Sequence, residues 1–314
     1  MSTIVRRLRL AGWAVLKGRY CLMRRNIGRM LLVGAALVAS LAVLGVSSAM
    51  ATPKGEYAVF AQCPVSNPNV NGCLVSLTES GKITIGKQEV PIVNTQTLQG
   101  GTTTIAPGVK KMAAAINGET LSKTSQKVPG GLSGLVNCTE IKGSGFFEKL
   151  LRAGCEAIFE NEFTGVNATA ELAAPASSVI LNLGAAEFET GSALTLPIKV
   201  KLENPFLGKE CYIGSNSNPI TLHMSTGKSG SAKGKLGEVS SKAEGGILVI
   251  KNGTLVDNTF TAPEATGCGE GLSFLLDPVI NAKIGLPAGE GVNTAVFNTK
   301  IEIASAALVE ESEF

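Results

Sequence analysis

The chain has 314 residues, with 28 basic and 25 acidic, a formal net charge of +3, one Trp and one His. Eight of the basic residues fall in residues 1–51 (Arg6, Arg7, Arg9, Lys17, Arg19, Arg24, Arg25, Arg29) and no acidic one does, so residues 52–314 hold 20 basic against 25 acidic, a net of −5. That distribution excludes a basic nucleic-acid footprint for the bulk of the chain, and a single histidine leaves little material for a histidine-based metal or catalytic centre.

Residues 30–51 run without a charge and end Ala49-Met50-Ala51. A basic segment, an apolar segment and an A-x-A site together predict a secretory signal peptide cleaved after Ala51. The apolar run is also long enough for a retained N-terminal membrane anchor, the alternative reading. The basic segment is long for a leader, and Met23-Arg24-Arg25 would begin one of ordinary length. The expected organisation is therefore a signal peptide over 1–51 and one secreted β domain over 52–314, with a weaker subdomain boundary near 165–175.

Seven cysteines are present, and Cys21 leaves with the leader. The six that remain, Cys63, Cys73, Cys138, Cys155, Cys211 and Cys268, read as disulfides in an exported chain. Six cysteines allow fifteen pairings in total. Proximity favours Cys63–Cys73 and Cys138–Cys155, which leaves Cys211–Cys268. A zinc site is the weaker alternative, because no C-x-x-C spacing occurs.

Taken in order, residues 57–61 (YAVFA) predict a short strand, followed by a Pro/Asn-rich loop between Cys63 and Cys73. Segments 73–79 and 82–93 flank Ser80-Gly81 and predict a β-hairpin. A strand ends before Pro107, and 109–131 reads as either a helical turn or an edge strand. Residues 145–159 predict the one short helix, with Phe147, Leu150, Leu151, Cys155 and Ile158 at helical spacing. It is expected to pack on an edge of the sheet, pinned by Cys138–Cys155. Beyond 164 the pattern is β again. Leu194, Leu196, Ile198, Val200 and Leu202 alternate with polar residues, and so do Ile220, Leu222 and Met224, which predicts two half-buried strands around the loop that carries Cys211. The Gly/Ser/Lys segment 226–238 reads as a solvated hairpin tip. Segments 247–250 and 254–262 predict a second hairpin, turning at Asn252-Gly253. An apolar run over 271–287 follows, then a last strand with Phe297, Thr299, Ile301 and Ile303 on one face. The fold class is all-β, an antiparallel sandwich or jelly-roll-like domain with one short helix.

Segments 204–222 (NPFLGKECYIGSNSNPITL) and 275–298 (LLDPVINAKIGLPAGEGVNTAVFN) resemble stretches of a group of secreted actinobacterial proteins, clearly over the C-terminal third and loosely elsewhere. The resemblance implies export and the Cys211–Cys268 pair; it implies no activity.

No catalytic signature emerges. His223 falls on the polar face of its strand with no G-x-S-x-G elbow to accompany it. Carboxylate pairs such as Glu160 with Glu162, or Asp257 with Asp277, lack the aromatic platforms of a sugar site. No P-loop, dinucleotide fingerprint or EF-hand loop occurs. The expectation is a non-enzymatic exported envelope or extracellular protein without cofactor or metal. Its role would be structural, adhesive or binding, with envelope polymer or lipid as the partner class. The alternative is a pore-forming or lipid-carrying envelope β protein. An intact mass beginning at Thr52, taking up six alkyl groups only after reduction, is the expected outcome; a mass retaining residues 1–51 identifies the anchored form.

Overall fold

The structure, a computed structural model, describes residues 52–136, 138–141, 143–160 and 164–314. The predicted leader, with Cys21, Ala49 and Ala51, lies outside the described residues. The strands in chain order are β1 (Gly72–Ile85), β2 (Gln88–Ile92), β3 (Gln96–Ala106), β4 (Val109–Ala113), β5 (Ser125–Lys127), β6 (Asn167–Leu172), β7 (Ile180–Asn182), β8 (Leu194–Glu203), β9 (Tyr212–Ile213), β10 (Ile220–Met224), β11 (Lys228–Ser229), β12 (Ala232–Lys233), β13 (Glu238–Lys242), β14 (Ile247–Asp257), β15 (Ala265–Thr266) and β16 (Thr294–Ser305). Short helices α1 (Gly131–Leu135), α2 (Phe146–Glu160), α3 (Leu183–Glu187), α4 (Ser273–Ile284) and α5 (Ala306–Glu311) sit between and after them. The fold is all-β and antiparallel, as its alternating segments predict.

One large sheet runs β13-β14-β16-β1-β3-β4-β7-β8-β6-β5, with β2 added to β1, β10 to β8, and β9 joining β8 to β15. The sheet folds over on itself because two strands change partners along their length. On one edge β1 pairs β3 through residues 72–78 and β2 through residues 81–85, while β16 follows its other edge throughout. Likewise β8 pairs β7 at 194–195 and β6 at 198–203 on one edge, and β10 at 194–198 and β9 at 200–201 on the other. The two layers meet again where Ser225 and Val256 exchange backbone hydrogen bonds of 2.8 and 2.9 Å, linking the end of β10 to β14. β1 and β8 therefore face each other across a shared interior.

Leu194, Leu196, Ile198, Val200 and Leu202 of β8 all point inward and are buried. From the opposite layer come Leu74 of β1, Leu255 of β14, and Phe297, Ile301 and Ile303 of β16. The outer face of β1, β14 and β16 is buried too. There Cys73, Val75, Ile247, Val249 and Ala304 pack under Phe60, Val70 and Val309. The cover is built from a 3₁₀ turn over Gly55–Phe60, the Cys63–Cys73 loop and α5.

The predicted strand over 57–61 is this 3₁₀ turn, because it caps a sheet face and pairs with no edge. Neither predicted hairpin is one. Ser80-Gly81 lies inside the continuous β1, where Glu79 is an extra residue opposite the step from Thr299 to Asn298. Asn252-Gly253 lies inside the continuous β14, where the register slips by one residue opposite Lys300. Both are β-bulges. Asn252 takes a positive φ of 55° there, a conformation Asn tolerates in a turn and equally in a bulge.

The remaining differences follow from packing. α2 forms where predicted and is pinned by Cys138–Cys155 as expected; Arg152 also donates to the Ile141 carbonyl, and Leu150 is left exposed. The side chains of Phe147, Leu151 and Ile158 lie outside the described set. The apolar run 271–287 is mostly α4, with Pro278 inside it and Leu276, Ile280 and Ile284 buried at successive turns. Segment 226–238 is no free tip: β11 and β12 form a ribbon laid over one end of the sandwich. The sequence boundary near 165–175 is occupied by β6, paired with β5 and β8.

A buried polar latch holds the closing end. Asp257 accepts the His223 backbone N–H (2.6 Å), the Ser229 hydroxyl (3.1 Å), and the Thr259 N–H and hydroxyl (2.8 Å each). Asn258 accepts from the N–H and hydroxyl of Ser231 and donates to the Asn293 carbonyl at 2.6 Å. The Asn293 side chain accepts the Gly86 N–H at 2.9 Å and donates to the Phe260 carbonyl at 3.0 Å. Five segments are joined without an unmet buried group at these three residues, the condition under which a buried polar network stabilises.

The β1 bulge yields a test. Gly81 has φ 137°, and a Cβ there would stand 2.0 Å from the Val296 carbonyl oxygen. Gly81→Ala is expected to cost about 1–3 kcal/mol in urea unfolding. Gly271→Ala, where a Cβ meets nothing within 4 Å, serves as the near-neutral control.

Candidate functional site

The interior between β1 and β8 is not completely filled. Two apolar cavities of about 60 Å³ each lie end to end along it. The first is walled by Leu196, Ile198 and Leu222 on one layer and Ile92, Leu121 and Phe297 on the other. The second is walled by Leu74, Leu181, Ile301 and Ile303, and reaches the surface beneath α3 and the ribbon. Ser76, Leu98, Leu194, Leu255 and Thr299 line both and form a common waist. A third void, about 30 Å³, continues along the same strands between Ile83, Ile85, Val200 and Leu202.

The bulges place the waist. β16 alternates without interruption, so Phe297, Thr299, Ile301 and Ile303 all face in. Its neighbours each gain a residue beside Thr299. In β1 the inward set changes from Leu74, Ser76 and Thr78 to Ile83 and Ile85; in β14 it changes from Ile250 to Gly253 and Leu255. Thr78, Thr299 and Gly253 thus meet at one level, with Ser76 the next inward residue of β1, and the wall recedes there. Ser76 and Thr299 are 8% and 4% exposed, and neither side chain makes a hydrogen bond among the described residues. An apolar pocket with a few convergent polar groups is the usual form of a small-ligand site.

The cover over the second cavity is a separate assembly. Thr226 donates its hydroxyl to the Ala186 carbonyl at 2.8 Å, and the Leu236 N–H reaches a Glu189 carboxylate oxygen at 3.4 Å. These bonds seat the ribbon on α3. Leu183, Lys235 and Leu236 form the rim.

No family model, curated protein or solved structure matches the chain.

The residues singled out in sequence are placed as follows. The three disulfides are Cys63–Cys73, Cys138–Cys155 and Cys211–Cys268, the pairing that proximity favoured. They mark an oxidising compartment. His223 is exposed on the outer face of β10, and Asp257 engages its backbone N–H rather than its ring. Asp277 accepts the N–H groups of Gly267 (3.0 Å) and Cys268 (2.8 Å), and so holds the Cys211–Cys268 loop against α4. Asp257 and Asp277 are thus tied to separate backbone sites. Glu162 and the Glu160 side chain lie outside the described residues. Among the described residues no cluster of His, Cys, Asp and Glu is arranged to hold a metal ion. No described helix is long and apolar enough to cross a membrane, which bears on helices alone. Sequence reasoning missed the waist, because Ser76 occupies an inward position that a binary pattern assigns to solvent.

On the other face of the same three strands, Glu302 is 4% exposed and pairs Lys242 at 2.6 Å and Lys300 at 2.8 Å. Burial pushes its carboxyl upward, but the hydrogen bonds and charges of the two lysines outweigh it and hold the carboxyl below its ordinary range. A carboxyl depressed in the folded state stabilises the fold above its unfolded pKa of about 4.3 and loses that contribution as pH falls through the lower folded value. Glu302→Gln should cost about 1–3 kcal/mol at pH 7. It should also flatten the fall in stability below pH 4.3 relative to the parent, as read by urea midpoints across that range.

Proposed function

We propose that this is an exported, non-catalytic binding module of the envelope or the medium, whose β interior takes up a narrow apolar ligand. The observation that carries the reading is the pair of apolar cavities joined at the Ser76–Thr299 waist. A purely structural or adhesive module gains nothing from voids in its main core, since unfilled apolar volume costs roughly 24 cal/mol per Å³. Both cavities are lined almost wholly by apolar side chains, which suits a lipid-like molecule better than an envelope polysaccharide. Their small size suits one chain and argues against an aqueous pore. Export by a signal peptide cleaved after Ala51 delivers the chain to the compartment that its three disulfides require.

The reading predicts saturable binding of a neutral naphthylamine fluorophore, N-phenyl-1-naphthylamine, to the purified protein. Ala170→Leu projects into the first cavity and Ala193→Leu into the second. Each is expected to weaken binding at least tenfold while unfolding at or above the parent temperature, because it fills a void. Non-saturable fluorescence, or binding untouched by either filled cavity, would overturn the reading.

A further inference from the structure

The two ends of the interior slot differ in charge, and the difference assigns a direction to its occupant. At the other end the first cavity is bounded by the half-buried Thr78, Gln96 and Leu121. The Gln96 amide is engaged there: its Nε2 donates to the Thr124 carbonyl and its Oε1 accepts from the Ser122 hydroxyl. No ionised group lines that cavity. At the outer end Leu183 is 37% exposed and marks the opening. Lys235 stands on the same rim and is the one charged side chain lining either cavity. It is exposed and has no ion-pair partner among the described residues. The ribbon that carries it also presents Lys228 and Lys233 to solvent. The acidic groups on this side are Glu187, exposed at the end of α3, and Glu189, whose carboxylate accepts the Leu236 N–H.

Resting on the binding reading above, we propose that the ligand is a single-chain amphiphile with an anionic head, of the fatty-carboxylate class. Its tail lies through the second cavity and the waist into the first, and its head stays at the rim against Lys235. Chain width supports one tail, since the cavities are arranged in series rather than side by side. The head is placed by desolvation: a carboxylate carried into the first cavity would lose its hydration against apolar walls, whereas at the rim it keeps water and gains a cation. The ribbon lysines add a local positive field that favours an anion on approach. The Ser76 and Thr299 hydroxyls then meet the alkyl chain at mid-length, where the two cavities share their lining.

The test is displacement of bound N-phenyl-1-naphthylamine by decanoate and by 1-decanol, on the parent and on Lys235→Gln, at low ionic strength. Decanoate is expected to displace the probe from the parent about two- to fivefold more effectively than from Lys235→Gln, the range of a partly exposed charge pair. That gap should close at high salt. Decanol should act equally on both proteins. Decanoate acting equally on the two proteins at low salt, or decanol displacing the probe where decanoate does not, overturns the head-group assignment and leaves the cavity reading standing. Failure of the probe itself to bind defeats the cavity reading instead, so the two failures are told apart.

Discussion

The architecture depends on a single register constraint at Thr299. β16 is regular, but each strand hydrogen-bonded to it carries one extra residue at that level: Glu79 in β1, and one residue of the Lys251-Asn252 pair in β14. A bulge bends its strand and increases local twist. Two bulges on opposite sides of one residue bend a three-stranded unit as a whole. Beyond the bend β1 leaves β3 and takes β2, and β14 passes from β13 to the Ser225 and Lys235 bridges. The strands that close the sandwich can reach each other only because the sheet turns there. The same bend draws the wall back at Thr78, Gly253 and Thr299, next to Ser76, so closure and the waist have one cause.

Which parts of this could be read from the sequence follows from periodicity. β8 and β10 keep strict alternation, face one core, and are legible to the residue. β16 is legible for the same reason. β1 and β14 are not, because a bulge reverses the parity of inward positions midway. A chain whose apolar residues change from even to odd across Ser-Gly or Asn-Gly looks like two strands and a turn. The local chemistry of the two cases is the same: a residue tolerant of positive φ, or a glycine that lets backbone approach. Only the pairing with β16 decides between turn and bulge. α4 was hidden differently. Its exposed face is apolar too, with Phe274, Pro278 and Ala282, so the buried Leu276, Ile280 and Ile284 do not stand out as a stripe, and Pro278 reads as a break. Its polar residues Asp277 and Asn281 are used to tie it to the backbone of residues 265–268.

The disulfides sit where the ladder gives least. Cys63–Cys73 closes a Pro/Asn loop over the outer core, Cys138–Cys155 holds α2 to the 3₁₀ turn at Cys138–Glu140, and Cys211–Cys268 joins the two-residue strands β9 and β15. Sequence separations of 10, 17 and 57 imply loop-entropy contributions on the order of 3–4 kcal/mol each. None of the three crosses the main interior between β1 and β8. That interior is held by the Ser225–Val256 bridge and by the hydrogen bonds of Asp257, Asn258 and Asn293.

This division of labour bears on how the slot can open. The latch and the bridge fix β10, β14 and the turn between β1 and β2, so the closed end of the sandwich is rigid. The rim is secured by far less: the Thr226 hydroxyl bond to Ala186 and the longer Leu236 bond to Glu189. Neither bond is part of the sheet ladder, and neither segment is cross-linked by a disulfide. Separating α3 from the ribbon therefore breaks two side-chain hydrogen bonds, at a net cost of about 1–3 kcal/mol. The proposed ligand would pass Leu183, Lys235 and Leu236 by this route, and the one charged side chain lining either cavity stands on it.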